Sequence, residues 1–312
     1  MYKKLVNQTG NYIMTKGSPF TNVYGLARSL LALGTLVTLL FNDINTLFKP
    51  VAGVTEYPYC STGINSISVF CIASNTYLSE IKIVTIILLI IIMSGWRPRI
   101  TGLIHWWIAF SVQNSMTTLD GGDQVTAVLT FLLIPMTLVD ERKWHWEKDC
   151  SIEKNRDIAV ALGWASIFVI QFQIAILYLH SSIAKLTTSE WVNGTAVYYF
   201  LNDPLFGLSP IIKPLIQPIT ESWLVVIPTW GTIILQFLLF CGLFSNSKTK
   251  KILFVLAITM HEIFALMLGL VSFSIAMSAA LILFLLPINA HFKYKFKFNF
   301  QFNLPLTRKE VE

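Results

Sequence analysis

The chain has 312 residues, of which 54% are hydrophobic and only 13% charged, with a formal net charge of +6. A soluble domain carries about 25% charged residues, so this composition argues for a membrane protein and against a soluble globular enzyme. The lysines and arginines stand in short clusters between apolar runs, with no basic face interleaved with aromatics, which argues against a nucleic-acid partner.

A spanning helix needs about 20 mostly apolar residues. Eight runs meet or approach that length: 23–41, 81–95, 100–116, 125–139, 158–182, 223–244, 252–270 and 271–289. The second, third and fourth are short and must tilt, extend into their flanks or include a re-entrant piece. The predicted fold is an all-α, polytopic membrane helix bundle of about eight spans. It divides into an N-terminal segment 1–22, a transmembrane domain 23–290 and a basic aromatic tail 291–312. The first apolar run follows a polar lead and continues as a span, so no cleavable signal peptide is expected.

Lysine and arginine are enriched in cytoplasmic loops. With the N-terminus inside, the inner segments collect Lys3, Lys4 and Lys16, then Arg97 and Arg99, then five residues from Arg142 to Arg156, three from Lys248 to Lys251 and five in the tail. The outer loops hold only Lys49 and Lys213. Both termini are therefore expected in the cytoplasm. Cys60 and Cys71 share one outer loop, an oxidising setting in which a disulfide can persist, whereas Cys150 falls inside and Cys241 in a span. No CxxC spacing occurs, so no metal site is expected. The outer loop 186–221 carries Trp191, Tyr198, Tyr199, Phe200 and Phe206 and reads as a structured cap or interfacial helix. The tail alternates aromatic and polar residues over 292–302, a pattern for a strand that lies against anionic lipid or docks a cytosolic partner.

Polar residues inside spans are costly and draw attention to function. The fifth span carries Gln171, Tyr178, Ser181, Ser182 and Lys185 at helical spacing on one face, with His180 expected to point elsewhere. This stripe either glues helices together, with Lys185 snorkelling to the surface, or lines a cavity. In the seventh span, "HEIF" at 261–264 sets His261 beside Glu262, about 100° apart, so that one faces a cavity while the other contacts a neighbour. Only one histidine is present, so this is no zinc-protease motif. In "NSMTTLDGGD" at 114–123, Asn114 precedes an outer turn in which Asp120 and Asp123 could bind a cation, cap the next helix or orient Lys185 across a cavity. Arg28, in the first span, is expected to snorkel inward or to pair with a carboxylate. "RKWHW" at 142–146 reads as an inner interfacial belt without chemistry.

The stretch "AKLTTSEWVNGTAVYYFL" at 184–201 carries a lysine–leucine pair, Lys185–Leu186, then Trp191 and Gly194. This pattern, with His261 in a late helix, resembles the HTTM family, the membrane domain shared with vitamin K-dependent γ-carboxylases. "TNVYGLARSLLALGTLVTLLFN" at 21–42, together with "NSMTTLDGGDQV", resembles a narrower branch, the sporulation-delaying protein B (SdpB) family. Its members are bacterial plasma-membrane proteins needed to mature a secreted antimicrobial peptide. In the carboxylases the matching lysine deprotonates a reduced vitamin K, a task that needs a neutral amine. The resemblance therefore implies Lys185 as base or proton-transfer residue and His261 as the group that orients a substrate or holds developing charge. Asn114, Asp120, Asp123, Tyr178, Ser182, Trp191 and Glu262 are the expected supporting residues. Ala184 stands where the carboxylases have a second lysine, and the gap to the tryptophan is one residue longer. The partners implied are a toxin precursor peptide, a small SdpA-like protein and the lipid bilayer. A quinone of the vitamin K kind is the implied cofactor. The alternatives from other classes are a quinone-dependent enzyme for another substrate, a non-catalytic peptide exporter or immunity protein, and a scaffold.

Overall fold

Four of the long helices begin where the sequence supplies a side-chain cap or a proline. The computed structural model describes residues 15, 17–51, 53, 57–60, 63–72, 75–148, 156–204 and 206–292. Helix α1, Asn22–Phe41, is capped by Thr21, whose side chain accepts from the Tyr24 amide. Helix α2, Leu78–Ser94, ends on Gly95 in the left-handed region at φ 88°. Helix α3, Pro98–Ser115, starts on a proline, whose fixed φ suits the first helical position. Helix α4, Gly121–Leu138, opens on a capping box between Asp120 and Asp123. Helix α5, Arg156–Lys185, has 30 residues. At 1.5 Å per residue it is about 45 Å long, more than the hydrocarbon core it would cross. Helix α6, Val226–Cys241, is lengthened at both ends by single 3₁₀ turns to Trp223–Phe244. Helix α7, Ser247–Leu268, is capped by Asn246, and α8, Val271–Leu285, follows directly.

Five of these segments are long and apolar enough to cross a membrane: Asn22–Phe41, Gly121–Leu138, Arg156–Lys185, Trp223–Phe244 and Ser247–Leu268. Among the described residues there is no strand, and an isolated antiparallel bridge joins Trp96 to Trp144. The protein is an all-α membrane helix bundle. The three short runs extend into their flanks, so that α2, α3 and α4 reach 17, 18 and 18 residues.

Two buried clusters hold the bundle. One joins α1, α4, α5, α7 and α8 around Tyr24, Leu129, Ile170 and Phe284, and the other joins α1, α2 and α3 around Leu39, Leu89 and Ile108. Helix α1 contributes to both. Helix α8 is apolar on all sides and most of its residues are buried, as expected of a central helix. Small residues let it approach α1: a Cβ on Gly34 would lie 3.3 Å from the Ser272 carbonyl oxygen.

The face that lysine and arginine placement assigns to the outside is covered by two loops. In the first, Cys60 and Cys71 form a disulfide with Cα atoms 5.6 Å apart. Phe70 is buried against Phe48 at 5.2 Å, and Val69 N–H donates to Ser111 Oγ at 2.9 Å, which seats this loop on α3. Cys241 is free, and Cys150 lies outside the described residues. The second loop folds into short helices Ser189–Val192, Ala196–Leu201 and Lys213–Thr220, with Ile211, Leu215 and Trp223 exposed. The proposed tail strand falls on 292–302, of which only Phe292 is described. Its backbone pairs with the Asn22 side chain at 2.8 and 2.9 Å.

Two readings of the inner face need correction. Arg28 neither snorkels nor pairs with a carboxylate. It is fully buried, and its guanidinium meets His145 Nδ1 at 3.2 Å and donates to Thr101 Oγ1 at 3.1 Å. "RKWHW" is more than an interfacial belt. His145 N–H donates to the Gly95 carbonyl at 3.0 Å, and Arg97 N–H to the Lys143 carbonyl at 2.8 Å. Arg142 grips Asp140 at 2.9 and 2.8 Å in a buried ion pair. The loop folds back under the bundle because Arg28 needs an acceptor there, and the neutral imidazole supplies one.

Candidate functional site

The stripe on α5 separates into structural and cavity-lining members. Gln171 Nε2 donates to the Leu283 carbonyl at 3.3 Å, one of the C-terminal carbonyls of α8 that the helix itself leaves unpaired. Ser182 is buried and donates to the Ile233 carbonyl at 3.2 Å, which ties α5 to α6. The other three residues face a cavity of about 430 Å³ between the start of α4, the end of α5, α6, α7 and the start of α8, a size typical of small-ligand sites.

Lys185 stands at the mouth of this cavity. Its ammonium donates to Ser181 Oγ at 2.9 Å and to the Ser181 carbonyl at 3.2 Å, and it lies 5.1 Å from the centre of the Trp191 ring. Ser181 Oγ in turn donates to Gln236 Oε1 of α6 at 3.2 Å. The ammonium makes no ion pair with any described carboxylate. It is held by neutral oxygens and an aromatic face, an arrangement that stabilises a cation modestly and leaves it available to an incoming anionic or carbonyl oxygen. Trp191 is positioned by a tight cap. Gly194 adopts φ 78°, and a Cβ there would come within 2.9 Å of Val226, so only glycine lets the chain turn against α6.

Deeper in the cavity, Tyr178 Oη and His261 Nε2 are 3.1 Å apart, and both residues are buried. Phe264 and Phe273 pack edge-on around the imidazole, with centroids 6.0 and 5.4 Å away. His261 Nδ1 has no hydrogen-bond partner. A buried polar atom without a partner is costly, and such atoms in native proteins call for a specific explanation. Lys185, Ser181, Tyr178 and His261 together can donate to and accept from a polar ligand and pass a proton.

Of the residues singled out in the sequence, Lys185, Tyr178, His261 and Trp191 share the cavity wall. Asp120 and Asp123 do not line it. Asp120 accepts from the Gly122 and Asp123 amides and from Ser272 Oγ at 2.8 Å, so this pair caps α4 and ties it to the start of α8. Asn114 donates to the Phe110 carbonyl of its own helix at 2.8 Å. Glu262 turns away from His261 and accepts from Ser274 Oγ of α8 at 2.9 Å. His180 departs from expectation, since it lines the cavity. The cavity covers two adjacent rows of α5, so residues one row from Tyr178 still reach it. Gln236 is the residue that sequence reasoning missed, and its signal was a lone glutamine inside the apolar run of α6. Among the described residues, no cluster of histidine, cysteine, aspartate and glutamate suits a metal ion.

No family model and no solved structure matches the chain. Two proteins of Bacillus subtilis (strain 168) are similar to it over nearly all of its length. It is 47% identical over 275 residues to the uncharacterized protein YitO, covering 88% of each chain. It is 37% identical over 292 residues to the sporulation-delaying protein SdpB, covering 91% of this chain and 87% of the relative. An identity of this size, sustained across the whole helix bundle, shows that the chain belongs to the SdpB family.

Proposed function

We propose that this protein matures a secreted antimicrobial peptide toxin, acting on the precursor from the outer cavity of a multi-pass bundle in the bacterial plasma membrane. The family supports the biological setting, and SdpB is named for sporulation delay. The observation that carries the chemical part is the convergence of Lys185, Ser181, Tyr178 and His261 on one cavity, with a lysine at its mouth that has no carboxylate partner among the described residues. In this reading Lys185 binds or exchanges a proton with the reacting group, and the His261–Tyr178 pair orients it. A small SdpA-like partner meets the basic inner loop or the C-terminal tail.

Mass spectrometry of the secreted peptide tests the proposal, using cells with the protein, without it, and with Lys185→Ala or His261→Ala. The expected result is a covalently changed peptide only with the intact protein, and at least a 100-fold loss in Lys185→Ala, the order typical of removing a proton-transfer group. A peptide mass that is the same in all four strains would sink every enzymatic reading and leave export or immunity.

The resemblance to carboxylases adds a second reading, quinone-dependent modification. The cavity could take a phenolic head group, because the Lys185 ammonium at its mouth can donate to a phenolic oxygen and Tyr178 and His261 line the same wall. A reduced quinone supplies redox chemistry that side chains alone lack. Extraction of quinone from the purified wild-type protein, and its loss in His261→Ala, checks this reading.

A further inference from the structure

The cavity continues into a second space. A groove of about 370 Å³ runs down the side of the bundle, walled by Gln124 and Val128 of α4 and by Gln173 and His180 of α5, with Ala280 of α8 at its floor. Gln124 and His180 line both spaces, so the groove and the site are continuous. Val128 and Ile176 on its lips are exposed, on helices that cross the membrane, so this side of the groove faces lipid.

The groove is apolar, yet it holds three polar side chains without partners. Gln124, Gln173 and His180 make no hydrogen bond among the described residues. Gln173 lies 12 residues before Lys185 on α5, which places it about 18 Å below the outer end of the helix, well inside the hydrocarbon layer. Lipid tails cannot satisfy an amide at that depth. A second helix can, because interhelical hydrogen bonds from glutamine and histidine hold transmembrane helices together. The spacing suits such a guest. Gln173 and His180 are seven residues apart on one face of α5, Gln124 and Val128 are four apart on α4, and a small alanine lies between the two walls.

We propose that this groove docks an apolar helical segment of the substrate peptide, which enters sideways from the bilayer and delivers its adjoining residues to Lys185. The identification of the guest as substrate rests on the maturation reading. Continuity with the site selects it over a second copy of the chain, which would have no reason to end at the Lys185 cavity. Gln173 recognises a polar side chain on the peptide helix, and His180 and Gln124 guide the chain where the groove opens into the cavity.

The test uses a photoreactive amino acid at Val128 or Ile176 in the full-length protein, in membranes of cells that also make an epitope-tagged precursor peptide. Leu238, exposed on α6 away from the groove, is the control position. The expected result is a covalent adduct with the precursor from Val128 and Ile176 and none from Leu238. Gln173→Leu should lower both adduct and mature peptide by about 3- to 15-fold, the range set by hydrogen bonds between membrane helices. This side chain makes no hydrogen bond to another described group, so the variant should insert normally. An adduct with a second copy of the chain, an adduct with lipid alone, or equal yield from Leu238 would overturn the proposal. Normal maturation in Gln173→Leu without an adduct overturns the docking site and leaves the maturation reading standing. A precursor that crosslinks at Val128 but never changes mass overturns maturation and supports the docking site.

Discussion

Lys185 and His145 show how one residue type or charge takes its meaning from its contacts. Lys185 has no acid partner and rests against Trp191, whereas Arg28, at the other end of the bundle, is fully enclosed by His145, Thr101 and the Tyr24 ring. That enclosure has a pH consequence. Burial first, then the charges of Arg28 and Arg142, hold His145 well below the usual imidazole value. The unfolded chain takes up a proton near pH 6.5, the folded chain only at lower pH. Between those two values the unfolded state binds more protons, so stability is fully present above about pH 6.5 and falls on acidification. The slope is at most about 1.4 kcal/mol per pH unit for one proton. Thermal unfolding in detergent at pH 7.5 and pH 5 should show a larger drop for the wild type than for His145→Gln. Equal drops would mean that other groups carry the effect.

At the scale of elements, contacts between helices depend on small residues at crossings. Gly102 of α3 faces Thr137 of α4 so closely that a Cβ on Gly102 would overlap the threonine Oγ1 and Cβ atoms. Gly102→Ala is therefore expected to destabilise the bundle by about 1–3 kcal/mol, the usual cost of overpacking. The double variant with Thr137→Gly should recover part of that loss, as measured by thermal unfolding of the purified protein. Unchanged stability in Gly102→Ala would show that α3 and α4 separate more easily than their packing implies. All eight apolar runs are helices, because capping residues such as Thr21, Asp120 and Asn246 and breakers such as Gly95 and Pro98 act locally. The short runs are longer as helices than as apolar runs, because polar first turns such as Leu78–Glu80 and Gly121–Gln124 hide a helix from a hydropathy count.

For the whole molecule, lysine and arginine placement predicts that the disulfide loop, the aromatic cap and the Lys185 cavity share the outer face. The same rule predicts an inner face that holds Arg97, Lys143 and the Asp140–Arg142 pair. Cysteine labelling tests that arrangement in a variant with Cys150 and Cys241 replaced by serine. A membrane-impermeant maleimide should label Ile211→Cys in intact cells and Lys143→Cys only after the cells are opened. The reverse pattern would invert the bundle and turn the proposed cavity toward the cytoplasm.

The sequence by itself determined the membrane class, the helices and the residues worth attention, because apolar length, capping and charge bias are properties of short stretches. It marked Lys185, Tyr178, Trp191 and His261 through polarity in apolar surroundings and through a recognisable motif. It did not determine which of these meet. Tertiary structure tied Asp120 to Ser272, turned Glu262 toward Ser274, brought Gln236 to Ser181 and folded His145 under Arg28. Those pairings join residues from 12 to more than 100 positions apart. The rotation of each helix about its axis decides them, and that rotation is fixed only when neighbouring helices pack.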